Sequence, residues 1–393
     1  MMQAPPRSAQ RGMTLVELLV AIVISLFISL SILVLLAGSE GRNRVSNGLN
    51  TIEQTSSLSS FMMDQWVRSA GSGLTVESGT FYGCTLYAKN STGQTLPRTA
   101  ALPDPFAHIN PHEAYQFPLA PVLIFPGVSS GTNTPSDTLM VMGAAANHAG
   151  IPSSLTSAPG EDHLNVHNAY ALTASQLVLI ADINSSNCMV TQISSSHTDA
   201  TATTVPLNGD FHASHIDTLN LADFSKDSIA LPLGIPSTGT APQMMLLGVG
   251  SNKTLYSYDL LQMSGGDDAL QARASGILEM HAIYGVDTTN DGKQDGWVSA
   301  STGEFATTAI LANSQLSTKL KRIKSVRVAL VLQMDEVSSS RQGMVSAPSL
   351  TIFPDLAAQG LSITRTLTDD ERRYRYRVVD TTLVLRNTHM LTP

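Results

Sequence analysis

The sequence predicts an α+β protein in which a long N-terminal α-helix, membrane-spanning in its first half, packs on an antiparallel β-sheet. An apolar run begins after Gly12 and continues to Leu36, and a helical pattern extends from Ser39 to about Ala70. Segments rich in β-branched residues dominate the chain after Thr254. Between the helix and these segments, the composition predicts a large, loop-rich β insert.

The first element, residues 13–36, is an apolar segment in which Glu17 is the only charged residue. Its length matches the roughly 20 residues that cross a bilayer as a helix. A carboxylate inside such a span costs roughly 2.5 to 3.5 kcal/mol on insertion scales. This cost implies that Glu17 has a partner. A plain signal anchor with an accidental glutamate is the alternative.

Residues 1–12 are predicted to be a processed leader. They are polar, lack acidic residues and carry Arg7 and Arg11. The small residue that suits cleavage, Gly12, precedes the apolar run, whereas an ordinary signal peptide is cut after it. Cleavage at Gly12 would keep the helix in the mature protein. The basic flank and the net charge of −8 predict a cytoplasmic N-terminus and an exported body.

The junction at residues 11–17, RGMTLVE, closely resembles the leader junction of type IV prepilins. The resemblance implies that a prepilin peptidase cuts after Gly12 and that the new amine of Met13 is methylated. It also implies that Glu17, fifth in the mature chain, docks the subunit by pairing with the N-terminal amine of a neighbour. An acid paired in this way is tolerated where a lone acid is not. Met13 replaces the phenylalanine most common at this position.

Residues 37–71 are predicted to continue the same helix in amphipathic form. Apolar residues recur mostly at three- and four-residue spacings from Val45 to Val67, and no proline interrupts them. Gly71 and Gly73 then supply a stop signal. The apolar face of this half needs a surface to pack against.

Residues 72–253 are predicted to form the loop-rich β region. Short apolar runs at residues 139–142, 177–183 and 244–249 predict strands between long loops. Cys84 and Cys188 are the two cysteines of the chain. On the exported side of a membrane they suit a disulfide, and two free buried thiols are the alternative.

Residues 254–393 are predicted to form the C-terminal sheet. The strand signals are strongest at residues 278–286, 325–332 and 374–385, and period-two alternation gives the second of these an apolar face that can cover the helix. The blocks at 277–298, 325–330 and 377–387 resemble, in their order, the strands and acidic turn of the PilW-type minor pilins. The resemblance implies a type IV pilin-like fold.

The acidic segment 287–295 is the strongest candidate for a ligand site. Its residues alternate like the oxygen ligands of a calcium loop, and Gly292 sits where such a loop turns sharply. The bidentate acid that closes a calcium loop is missing, and an acid from elsewhere in the chain, such as Glu304, would have to complete the site. Calcium is the one cofactor that the sequence suggests, and a polar turn is the alternative. The candidate ligands are Asp287, Thr289, Asp291, Lys293 and Asp295.

Histidine pairs and a basic strip are weaker candidates. The alternation of Arg and Tyr over residues 372–377 would suit DNA, and a solvated strand face is the alternative. The histidine pairs lack the geometry of a zinc site and favour surface loops. No hydrolase, metalloprotease or phosphate-binding motif occurs, so we predict no enzymatic activity. The pairs are His108 with His112, His163 with His167, and His212 with His215.

These features predict a minor pilin that takes part in initiating type IV pilus assembly, in a complex at the pilus tip. The resemblance implies four partners: other minor pilins, the major pilin, the prepilin peptidase and the inner membrane. The chain would cross that membrane once, with a periplasmic domain, before it reaches the pilus. Two alternatives stay open. One is a minor pseudopilin of a type II secretion system, and the other is a tip adhesin or receptor whose insert binds a surface ligand or DNA.

Overall fold

In the computed structural model the described residues are 14–75, 78–109, 116–128, 135–145, 151–237, 239–312, 316–334 and 346–389. The helices are α1 (Leu15–Ser69), α2 (Ser78–Phe81), α3 (Thr307–Leu311), α4 (Leu316–Arg322) and α5 (Arg386–His389). The strands are β1 (Thr85–Asn90), β2 (Gly93–Leu96), β3 (Val122–Phe125), β4 (Thr138–Gly143), β5 (Ser153–Ser154), β6 (His163–Asn165), β7 (Leu177–Ala181), β8 (Asn187–Gln192), β9 (Thr204–Pro206), β10 (His215–Ile216), β11 (Leu219–Asn220), β12 (Ile229–Gly234), β13 (Gln243–Val249), β14 (Thr254–Asp259), β15 (Leu270–Ser275), β16 (Ile277–Val286), β17 (Gly296–Ser299), β18 (Ile323–Gln333), β19 (Ser349–Ile352), β20 (Ile363–Thr366) and β21 (Tyr376–Val384).

Helix α1 is one continuous helix of 55 residues, so the two predicted helical segments are a single element. Its part from Leu15 to Leu36, 22 residues with a mean hydropathy of 3.1, has none of its surface buried. At 1.5 Å per residue this part is about 33 Å long, which is sufficient for a bilayer core of roughly 30 Å. After the helix ends, Gly71 and Gly73 adopt positive φ and reverse the chain.

Three sheets form most of the remaining structure. A four-stranded sheet has the order β17-β16-β18-β21, a five-stranded sheet the order β15-β14-β13-β4-β3, and a six-stranded sheet the order β2-β1-β8-β7-β12-β5. The described strand pairs are antiparallel except β1 with β8. These findings confirm the predicted α+β class. The predicted boundary between residues 253 and 254 lies in the turn of the β13–β14 hairpin, so the five-stranded sheet draws strands from both sides of it.

The four-stranded sheet is covered on both faces. One face shares the main core with α1, through residues such as Met280 and Leu330. The other face packs under the β19–β20 hairpin, where Val331 and Phe353 belong to a separate apolar cluster. The six-stranded sheet likewise has a second core on its far side, around Ile180 and other fully buried residues. Strands β4 and β7, predicted from apolar runs, are buried along their whole length, as near-continuous apolar segments require.

The last predicted strand is shorter than expected. The sequence pattern predicted residues 374–385, whereas β21 spans Tyr376–Val384. Residues Glu371–Arg373 form a 3-10 turn in which Arg373 N bonds Asp370 O. Backbone hydrogen bonds within such a turn take the place of bonds to a neighbouring strand. The predicted alternation of basic and aromatic faces over residues 372–377 therefore does not form.

Candidate functional site

Helix α1 begins with a capping box that engages Glu17. Glu17 Oε2 accepts hydrogen bonds from Thr14 N (2.9 Å) and Thr14 Oγ1 (3.0 Å), and Glu17 N donates to Thr14 Oγ1 (3.3 Å). The acid thus lies in the first turn, where the helix dipole favours a carboxylate. Gly12 and Met13, the predicted sites of cleavage and methylation, lie outside the described residues.

The apolar half of α1 satisfies its own polar groups. Ser25 Oγ donates to Ile22 O and Ser31 Oγ donates to Phe27 O, each at 2.8 Å. Lipid offers no hydrogen-bond partners, so internal bonding is what a membrane span requires. Its large side chains, such as Leu35, are exposed. They need lipid or the helices of other subunits around them.

The second half of α1 docks on the sheets through one apolar stripe. Ile52, Met63 and Val67 are buried in the main core. Beside the stripe, the guanidinium of Arg377 on β21 pairs with Glu53 of the helix. The helix also contacts β15. These contacts hold the helix across the sheets while its N-terminal half remains uncovered.

The C-terminal end of α1 is closed by amides from distant parts of the chain. Asn387 Nδ2 donates to Ala70 O (2.9 Å), and Gln243 Nε2 donates to Trp66 O (3.2 Å). Gln243 Oε1 also accepts from Ser69 Oγ (2.5 Å). The last carbonyls of a helix have no partners within it, so these amides supply them. No pattern in the sequence pointed to Gln243. Asn387 was noted only as the last residue of the segment 377–387, which resembles the PilW-type minor pilins.

Cys84 and Cys188 form a disulfide, with their Cα atoms 5.6 Å apart. Cys84 precedes β1, and Cys188 lies opposite Leu86 in the β1–β8 pair. Both sulfur atoms are buried in the main core. Of the two alternatives that the sequence left open, the structure therefore contains the disulfide, and it secures the parallel strand pair.

The acidic segment between β16 and β17 is a hydrogen-bonded turn. Asp287, fully buried, accepts from Asp291 N (3.2 Å) and Gly292 N (2.8 Å). Asp291 accepts from Lys293 N (2.9 Å). Asp295 accepts from both the amides and the hydroxyls of Thr288 and Thr289. The bonds from Thr288, then those from Thr289, lower the pKa of Asp295 to about 2.

This bonding bears on the calcium prediction. The carboxylates are directed at backbone N–H groups of their own turn, which is the behaviour of Asp in turns. Among the described residues, no three His, Cys, Asp or Glu side chains are grouped so as to hold a metal ion. Arg322 Nε also donates to Asp287 O (2.8 Å), and its Nη1 pairs with Glu304 (2.8 Å). Calcium binding stays a prediction, and the turn is the arrangement seen here.

The predicted histidine pairs are not joined as metal sites in the described part of the chain. His163 Nδ1 lies 2.8 Å from Asp162 Oδ1, and His212 Nδ1 lies 2.9 Å from the Thr191 hydroxyl. His108 Nδ1 lies 3.0 Å from Pro105 O. His112 is outside the described residues.

The basic strip is largely matched by acids. Arg377 pairs with Glu53. The guanidinium of Arg372 lies 3.7 Å from the carboxylate of Asp369, and that of Arg373 lies 3.9 Å from the carboxylate of Asp370. Local pairing of this kind lowers the positive potential that DNA would require. The geometry favours the solvated-face alternative.

A buried cluster of charges, which sequence analysis missed, joins β16 to β20. Arg365 Nε bonds Glu279, and Arg365 Nη2 bonds Glu371 (2.6 Å). His281 Nε2 lies 3.2 Å from Glu279 Oε2. Burial opposes the charge of Arg365, yet the hydrogen bonds that it donates to Glu371 and Glu279 raise its pKa above the usual value. An acid and a histidine at alternate positions of a predicted strand were the available signal.

Two stretches of the chain match known protein families. Residues 7–37 match the prokaryotic N-terminal methylation motif, which covers the predicted leader junction and the apolar part of α1. Residues 239–387 match the family described as type IV pilus-assembly protein W, or PilW. By these two matches the chain is similar to PilW-type pilins. No curated protein and no solved structure matches the chain.

The PilW match covers the C-terminal part of the fold. It begins just before β13 and ends at Asn387 in α5, so it contains the four-stranded sheet and the amides that close α1. The six-stranded sheet lies outside both matches. The PilW family is a structural component of pilus assembly. The matches support a type IV pilus minor pilin with a membrane-anchoring N-terminal helix.

Proposed function

We propose that this minor pilin belongs to the complex that initiates type IV pilus assembly and that it sits at the pilus tip. The continuous helix α1 carries the proposal, because one element joins an uncovered apolar half to a folded body. That body comprises the rest of the described chain and adds the six-stranded sheet to the PilW part. Such bulk is easier to place at the end of a filament than between packed helices along its shaft.

We also propose the topology of the anchored protein. Arg7 and Arg11 precede the span, which favours a cytoplasmic N-terminus. The disulfide between Cys84 and Cys188 suits the oxidising periplasm. The partners would be the prepilin peptidase during processing, and then the other minor pilins and the major pilin.

The mass of the N-terminal peptide from native membranes tests the processing. We expect a peptide that begins at methylated Met13. An intact Met1, or a cut after Leu36, would overturn pilin-type processing. Deletion of the gene tests the process served: loss of pili and twitching supports the proposal, and loss of protein export with normal pili would identify a type II pseudopilin instead.

A matched pair of variants tests the proposed docking role of Glu17. Glu17→Ala removes the carboxylate, and Thr14→Ala removes one donor and the hydroxyl acceptor of the capping box while keeping the acid. Because an unpaired amine in lipid is costly, we expect Glu17→Ala to be processed normally but to enter pili at least roughly tenfold less. Thr14→Ala should enter pili nearly as wild type. Equal defects in the two variants would show that capping, not docking, is the role of the acid.

An adhesin or receptor role is a second candidate, supported by exposed apolar side chains on the unmatched region. Tyr170 and Ile183 are 72% and 71% exposed. Deleting residues 129–204 would remove β4 and β8, which pair with β13 and β1 of the remaining structure. The double variant Tyr170→Ser/Ile183→Ser is therefore the cleaner test. Normal pili that no longer attach or take up DNA would support a binding role.

A further inference from the structure

The four-stranded sheet ends in a long edge strand, β21. It pairs with β18 over nine consecutive residues without a register shift. Next to the strand ends, Arg375 O accepts from Met334 N, and Leu385 N donates to Lys324 O. Backbone groups alternate in direction along an antiparallel strand, so odd-numbered residues face β18. Five residues direct their N–H and C=O groups outward: Tyr376, Val378, Asp380, Thr382 and Val384.

Other strand edges of the molecule are closed by side chains. In edge strand β3, Ile124 N donates to the Tyr284 hydroxyl (2.6 Å), and the Thr307 hydroxyl donates to Ile124 O. Along the part of β16 that β17 does not cover, Ala282 N donates to Asp137 Oδ2 (2.9 Å). Edge strands β5 and β17 are short, with two and four residues, whereas edge strand β15 has six residues and contacts α1. These are recognised ways of preventing edge-to-edge pairing.

Strand β21 shows none of these protections within the described residues. No described residue hydrogen-bonds to its outward backbone groups, and the strand contains no proline, lysine or bulge. Its charged side chains are already paired, Arg377 with Glu53 and Asp380 with Arg327. Thr382 and Val384 are exposed and β-branched, which suits strand pairing.

We propose that β21 receives an extended strand from a different pilin subunit, which lengthens the four-stranded sheet by one strand. Main-chain hydrogen bonds would supply the affinity, as in other cases of strand addition. The partner strand would carry uncharged, β-branched side chains opposite Thr382 and Val384. This inference rests on the proposed role in assembly.

The direction of α1 decides against an antiparallel pair of identical chains. Helix α1 packs on one face of the four-stranded sheet, to which β21 belongs. A twofold axis that pairs β21 antiparallel with its copy stands perpendicular to the sheet and reverses every direction within it. The two apolar helix halves would then point in opposite directions and could not enter one membrane together. A different subunit is free of this constraint.

Proline substitution in the full-length protein, expressed in its native cells, tests the proposal. Thr382→Pro removes an outward N–H and leaves the β18 ladder intact, which edge strands tolerate. We expect normal protein levels and an intact disulfide, but at least roughly tenfold less co-purified pilin, since one bond is lost and the ring blocks pairing. Thr382→Val, which keeps the N–H, should co-purify partners as wild type. Wild-type co-purification by folded Thr382→Pro would overturn the proposal.

Hydrogen exchange on the unmodified protein provides a measurement that does not depend on the variant. Amides of Val378, Asp380, Thr382 and Val384 should exchange at least roughly tenfold more slowly in the membrane complex than in the isolated chain. Amides of the odd-numbered residues between them, already paired with β18, should be protected in both. Equal exchange of the outward amides would overturn the proposal, as would a complex that contains only copies of this chain.

The outcomes separate this inference from the proposed function. If deletion of the gene leaves piliation intact, the assembly role fails. If deletion abolishes pili while Thr382→Pro assembles normally, the assembly role stands and the edge inference alone fails.

Discussion

At the scale of single residues, the least expected feature is the buried pairing of Glu279 with Arg365. Two opposite charges far from water are retained only when each has a partner, because desolvating an ion is costly. Here Arg365 also bonds Glu371, and Glu279 lies beside His281. The cluster ties the β19–β20 hairpin to the back of the four-stranded sheet.

Removal of one partner of this pair is expected to be strongly destabilising. Glu279→Leu should lower the free energy of unfolding by about 3 to 5 kcal/mol, because Arg365 loses a buried carboxylate. The double variant Glu279→Leu/Arg365→Leu should recover much of the loss. Urea unfolding of the full-length protein in detergent measures both. Arg68→Ala, at an exposed pair with Asp64, is the control and should cost less than about 1 kcal/mol. If Glu279→Leu lowers the free energy of unfolding no more than this control does, the buried pair does not stabilise the fold.

The turn at Asp295 predicts an acid-sensitive contribution to stability. The folded pKa, about 2, lies below the ordinary value of 3.8. A depressed pKa stabilises the fold above the unfolded value, and this contribution is lost as the pH falls from about 4 through 2. Melting temperatures measured from pH 6 to pH 2 should therefore fall less steeply in Asp295→Asn than in the wild type. Identical slopes would show that the turn contributes nothing.

Calcium added to the same melting series tests the ligand prediction for this segment. A ligand that binds only the folded state raises the melting temperature as the ligand concentration increases. A calcium-dependent rise that Asp287→Ala removes would establish an ion site and require the carboxylates to reorient. No rise, with magnesium as the control, would leave the hydrogen-bonded turn as the whole explanation.

At the scale of elements, α1 depends on contacts with groups far away in the chain. Helix propensity and apolar spacing start and extend it, but its last carbonyls are completed by Gln243 and Asn387. The same two regions hold the helix over the sheets. The end of α1 and the PilW part of the fold therefore stabilise one another.

Substitution of Asn387 tests this closure. Asn387→Ala removes the donor to Ala70 O and should cost about 1 to 2 kcal/mol. Asn387→Asp should cost more, because it places a carboxylate against the negative end of the helix. Chemical unfolding ranks the two variants. The reverse order would show that the side chain packs without capping.

At the scale of the whole molecule, the disulfide encloses the region between its two cysteines, 104 residues apart in sequence. A loop of this length corresponds to about 4 to 5 kcal/mol in the chain-entropy description. In oxidising conditions, we expect the free energy of unfolding of Cys84→Ala/Cys188→Ala to be about 2 to 5 kcal/mol lower than that of the wild type. In reducing conditions the wild type should fall to nearly the same stability. A variant as stable as the oxidised wild type would contradict the expected role.

Much of the architecture could be predicted from the sequence because it depends on local patterns. The apolar run after Gly12 and the spacing up to Val67 belong to one helix, and alternation in the segment 326–332 indicated a strand. Pairing of the cysteines and the function of the acidic segment were left open. Both depend on which groups come together, and spacing alone does not specify that.

By itself, the sequence determined the α+β class of the molecule, with an N-terminal methylation motif, a membrane-length helix that continues into a folded body, and a C-terminal sheet. These follow from hydropathy and periodicity, which act over a few residues. Only the tertiary structure decided that Asn387 closes α1, that Glu279 is buried against Arg365, and that the outward backbone groups of β21 have no partner among the described residues. Each involves groups distant in sequence, and such contacts form only when burial of the common core brings the elements together.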